Sequence, residues 1–72
     1  GLQRAFKVAG AKAILMSLWK VDDEATKELM INFYDNWLKT NNKKQAFRLA
    51  QAKLRTKFPH PYYWGAFILI GE

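Results

Sequence analysis

Apolar residues recur along this chain at different spacings, and each spacing predicts an element. In residues 2–9, Leu2, Ala5, Phe6 and Ala9 share one helical face, and Gly10 suits the left-handed residue that closes a helix, so a short opening helix is predicted. From Ala13 to Trp19 nearly every position is apolar, without the alternation of a strand that has one wet face. That run reads as a strand covered on both sides, of the parallel and central kind. Residues 22–39 return to helical spacing, with Met30, Phe33, Tyr34, Trp37 and Leu38 on one stripe and Asp22 in the capping position. The TNNKK stretch interrupts this helix, and a further one is predicted from Lys43 to Lys57. It stops near Phe58-Pro59, because proline disfavours helical geometry in the residue before it. Two X-Pro bonds frame His60, and AFILI, between Gly65 and Gly71, is too short for a helix and reads as another buried strand.

Chain direction constrains how these elements meet. If the strand at residues 13–19 runs up, the next helix comes down, its successor goes up, and AFILI runs down. The predicted class is therefore α/β, in the order α-β-α-α-β, with the last strand antiparallel to the first. A two-stranded sheet of such apolar strands is marginal by itself, so neighbouring strands and further cover are expected from an upstream part of the same domain. Exposed strand edges would otherwise favour pairing between copies. The opening GLQRAF has no lead-in, which also suggests a piece of a longer chain.

Composition narrows the chemistry. With 72 residues there is one domain at most, and half of them are hydrophobic, which argues for folding rather than disorder. There is no Cys, so the chain itself holds no disulfide, thiolate metal site or thiol nucleophile. Neither AILMSLW nor WGAFILIG approaches the roughly 20 apolar residues that span a bilayer. A soluble, cytoplasmic protein without a membrane partner is the expectation. The net charge of +6 is uneven: five of six acids lie between Asp22 and Asp35, and seven basic residues lie between Lys39 and Lys57. Lys44, Arg48, Gln51 and Arg55 recur at helical spacing opposite Phe47, Ala50, Leu54 and Phe58, the pattern of a solvated helix face rather than of a nucleic-acid surface.

The segments GLQRAFKVAGA, SLWKVDD, ATKELMINFY, AFRLAQ and HPYYWGAFILIG together resemble the C-terminal part of the CHAT domain, a caspase-like domain often found beside tetratricopeptide repeats. The resemblance covers essentially the whole chain. It implies a clan of cysteine peptidases related to separases and caspases, with a sheet whose last strand is antiparallel to the others. It also implies a catalytic His and Cys upstream of GLQRAF, so no catalytic residue is expected in this chain. The parent would be an intracellular, bacterial-type cysteine endopeptidase acting on a protein or peptide, with no cofactor.

What the resemblance leaves to this segment is substrate recognition. The loop after the strand at 13–19 forms one wall of the pocket for the residue preceding the cleaved bond in the caspase-like fold, and separases, which cut after arginine, carry acids there. By position, Trp19, Asp22 and Asp23 are the candidate substrate-binding residues, with Asp22 the better helix cap and Asp23 the freer group for a substrate Arg or Lys. Trp19 serves either as pocket wall or as core. His60 lacks any partner for nucleophilic or metal chemistry and reads as a turn residue among Tyr62, Tyr63 and Trp64, while Ser17 reads as packing. Asp23, Glu24 and Glu28 lack the loop and glycine of a calcium hand. A CHAT-like interaction module without peptidase activity is the alternative from another class, and a basic nucleic-acid surface over Lys43–Lys57 the least favoured.

Overall fold

The computed structural model describes residues 4–71, in the order β1 (Arg4–Lys7), β2 (Ala13–Ser17), α1 (Asp23–Thr40), α2 (Lys43–Lys57), α3 (Pro61–Trp64) and β3 (Phe67–Gly71). The α/β class holds, and β3 is antiparallel to β2, as chain direction requires. The opening element is a correction: Arg4–Lys7 is a strand, not part of a helix, and the Leu2 end of the expected helix lies outside the described residues. The same letters satisfy both periods. Arg4, Phe6 and Val8 alternate with exposed Ala5 and Lys7, so four residues of strand fit as well as one turn of helix. Pairing with β2 decides between them. Val8 N donates to the Ala13 carbonyl at 3.0 Å, and Gly10 does take a left-handed φ of 77°, but as the bend of a hairpin.

The three strands lie in the order β1-β2-β3, with Leu15 opposite Phe6 and Leu69, and Ser17 opposite Arg4 and Phe67. Thus β2 is central as expected, but both neighbours are antiparallel. Its residues also alternate: Ala13, Leu15 and Ser17 are buried, whereas Ile14 is 39% exposed. The expected cover on both faces is therefore not supplied by the described residues. An all-apolar strand need not be a doubly covered one.

The helices follow their local signals closely. Asp22 Oδ1 accepts from Ala25 N at 2.8 Å and caps α1, and Asn41, with φ of 54°, closes it by donating its N–H to the Trp37 carbonyl. Asn42 then caps α2 by accepting from Gln45 N at 3.0 Å, so the two asparagines form the whole turn between antiparallel helices. One phase of α1 departs from the expected stripe. Ala25, Leu29 and Phe33 lie on the core line, but Leu38 is 86% exposed, because five residues beyond Phe33 is about 140° around the helix. Ala46, Ala50 and Leu54 of α2 meet that core line, with Leu15, Val21, Ala66 and Phe67 below them. Buried Asn32 is satisfied by donating to the Glu28 carbonyl at 2.8 Å.

Candidate substrate-facing loop after the central strand

The chain leaves β2 at Ser17 and enters α1 at Asp23, and each step between is held by a different kind of contact. Ser17 is buried and its Oγ accepts from Arg4 N at 3.2 Å, which ties the end of β1 to the end of β2. Leu18 N donates to the Ala66 carbonyl at 2.8 Å and so extends the β2–β3 ladder by one rung. Val21 is buried and anchors the far side of the loop. Between them, the half-buried Trp19 donates its indole N–H to the Tyr62 carbonyl at 2.9 Å, and the Tyr62 hydroxyl donates back to the Lys20 carbonyl. One tyrosine thus grips consecutive loop residues through both its ends.

That grip explains the HPYYW segment residue by residue. His60 accepts from Tyr62 N through Nδ1 at 3.1 Å, Pro61 opens the helical turn, and Gly65 N closes it on the Pro61 carbonyl at 2.8 Å. Gly65 is required sterically, since a Cβ there would come within 2.8 Å of that carbonyl oxygen. Tyr63 packs on Phe58 with ring centroids 5.0 Å apart. Trp64 donates to the Pro59 carbonyl at 2.9 Å, and its ring lies 4.9 Å from the Arg55 guanidinium. Gln51 on α2 donates to the Trp64 carbonyl at 2.6 Å. So α3 is strapped to α2 on one side and to the loop after β2 on the other. In sequence these aromatics read only as packing, although Tyr62 and Trp64 carry polar tips that must find partners when half covered.

Of the three candidate residues, Asp22 is committed to the α1 cap, and its carbonyl also accepts from the Thr26 hydroxyl at 3.1 Å. Trp19 joins the core edge and the α3 strap at once. Asp23, next along, projects outward with its side chain 87% exposed, and its Oδ1 accepts from Arg4 Nη1 at 3.0 Å. The three are adjacent but unequal: two are structural fixtures and one carboxylate is presented to solvent beside a cation. The neighbouring acids face elsewhere. Lys57 of α2 reaches Glu28 at 2.8 Å and Glu24 at 3.9 Å. The hydrogen bond from Lys57, reinforced by its charge, holds the Glu28 carboxyl below its ordinary pKa, and Glu28 in turn raises that of Lys57. A groove of about 570 Å³ opens at the opposite end of the sheet, around the Gly10 bend, with none of its lining from Trp19, Asp22 or Asp23.

The central strand is antiparallel to both neighbours, so β3 runs parallel to β1 rather than antiparallel to every other strand as the resemblance implies, with a helical hairpin and the HPYYW strap completing the fold. The chain belongs to the CHAT domain family, whose model matches residues 1–72. Tetratricopeptide repeat protein 28 of Homo sapiens is 39% identical over 75 residues, taking in 99% of this chain and 3% of that protein. The Mus musculus protein of the same name is 38% identical over the same share. The chain thus spans about 3% of the length of these curated relatives. Their names agree with the expected association with tetratricopeptide repeats, and as mammalian proteins they lend nothing to the expectation of a bacterial parent. No solved structure matches the chain. Among the described residues, no helix is long and apolar enough to cross a membrane.

Proposed function

We propose that this chain is the noncatalytic C-terminal part of a CHAT-domain cysteine endopeptidase, supplying sheet core and one acidic wall of the substrate pocket. The dyad belongs to residues upstream, where a His takes the thiol proton and the thiolate attacks the peptide carbonyl. Within these residues the work is positioning. Trp19 and Lys20 are held by Tyr62, Asp22 fixes the start of α1, and Asp23, exposed and paired with Arg4, presents a carboxylate to a basic side chain preceding the scissile bond. The observation that carries the reading is the exposed Asp23 carboxylate at the first position of α1, directly after a loop tied down by Tyr62 and by the Asp22 cap. A substrate guanidinium would replace the Arg4 contact, an exposed ion pair worth no more than about 1 kcal/mol, and gain a two-pronged geometry.

Cleavage of a peptide library by the full-length parent tests this. The expected outcome is a preference for Arg or Lys before the cut, with Asp23→Ala lowering kcat/KM on those peptides about tenfold or more and sparing others. A preference unrelated to basic residues, or one indifferent to Asp23→Ala, removes the pocket. The same Arg4–Asp23 pair favours a second reading, a CHAT-like interaction module without peptidase activity, because a chain that already neutralises its own acid has less use for it in catalysis. Absence of cleavage together with retained partner binding would select that reading.

A further inference from the structure

The outer edge of β3 carries no partner strand among the described residues. Leu18 N donates to the Ala66 carbonyl, so Leu18 and Ala66 form a hydrogen-bonded pair, and by the two-residue period Met16 with Ile68 and Ile14 with Ile70 do the same. The backbone N–H and C=O groups of Leu69 and Gly71 therefore point away from β2, toward the open side of the sheet, while those of Phe67, in the same phase, are buried. An unpaired row of this kind is a template for another strand.

What lies above that edge gives the template a chemistry. A groove of about 340 Å³ runs between β3 and α2, with Phe47, Ile68 and Leu69 as apolar floor and Lys44 and Arg48 at its rim. Arg48 also lines the adjoining groove of about 260 Å³, which ends at Arg55 over the Trp64 ring. Helix α2 carries six basic residues and no acid. Its Lys57 is taken by Glu28 and Glu24, but among the described residues no carboxylate pairs with Lys44, Arg48 or Arg55. Lys44 and Arg48 are one turn apart, about 6 Å along the helix. Alternate residues of an extended strand are about 6.6–6.8 Å apart and stand on the same face.

The geometry points to the β3–α2 trough as a docking site for an extended acidic peptide that adds to the sheet as a fourth strand beside β3. Main-chain hydrogen bonds to Leu69 and Gly71 supply the register, and carboxylates at every second position meet Lys44 and Arg48. This site is separate from the loop after β2, so its fate does not depend on the peptidase reading.

The test is fluorescence anisotropy on the full-length protein with labelled octapeptides of alternating Glu and Thr, the same peptide N-methylated at every second residue, and its Lys-Thr counterpart. The Glu-Thr peptide is expected to bind and to weaken as salt rises. N-methylation, which removes ladder donors without touching the protein, should weaken binding at least tenfold, as should Lys44→Glu with Arg48→Glu, both exposed and checked for folding by circular dichroism. The Lys-Thr peptide should not bind. Equal binding of the N-methylated or Lys-Thr peptide, indifference to the double charge reversal, or a single-stranded oligonucleotide displacing the peptide from these residues more strongly than the peptide itself would each overturn the site.

Discussion

The two faces of the sheet are built from the same kinds of residue and have opposite fates. On the helix side, Leu15 and Phe67 are buried against Leu29, Phe33, Ala50 and Leu54. On the other side, Ile14, Leu18 and Ile70 are 39%, 40% and 48% exposed, although they are no less apolar. Hydropathy says how strongly a residue benefits from leaving water, about 25 cal/mol for each Å² removed, and nothing about which neighbour removes it. The inner face is defined by shape, the outer only by composition.

The sharpest way to break this contrast is Phe33→Ala. Phe33 is fully buried at the centre of α1 and touches Tyr34 and Trp37 edge-on or tilted, at centroid distances of 5.3 and 6.0 Å. Its loss should cost about 3–5 kcal/mol and leave little folded protein, read as a collapse of the denaturation midpoint. Ile70→Thr on the outer face should stay within about 0.5 kcal/mol in the 72-residue chain, as exposed substitutions do. A core-sized loss for the same change in the full-length parent would reveal that upstream elements cover this face there. Smallest is the pH effect on the tie between the helices. With the folded pKa of Glu28 lowered, its stabilisation is complete above the usual glutamate value of 4.5 and is lost as pH falls through the folded one. Lys57, raised, acts in the opposite range and loses its share only in strong alkali as pH climbs through its folded value. A small acid-side fall in melting temperature that disappears in Glu28→Gln is the expected record.

Local signals were the legible ones. Asp22, the two asparagines at 41 and 42 and Phe58-Pro59 announce helix ends through their own backbone chemistry, and each boundary lies within a residue or so of expectation. The β1 strand was not legible, because RAFK fits either period and only its partner, 7 to 13 residues on, decides. The outer face misled for the reason just given. At the candidate site, Asp22 was legible as the cap and accepts from Ala25 N, whereas Asp23, the freer acid of the two in sequence, pairs with Arg4, a partner nothing in the local sequence names. The strap from α3 was invisible, since nothing near Trp19 in the chain names Tyr62 as its partner, and the two are 43 residues apart.

That separation has a consequence for how the protein is made. Segments near the strand end can twist into helix as soon as they leave the ribosome, but the indole of Trp19 has no acceptor, and the Lys20 carbonyl no donor, until residues 60–65 have been synthesised and coiled into α3. The loop after β2 is therefore among the late features to set during biosynthesis, fastened by a short aromatic clasp translated more than forty codons after it.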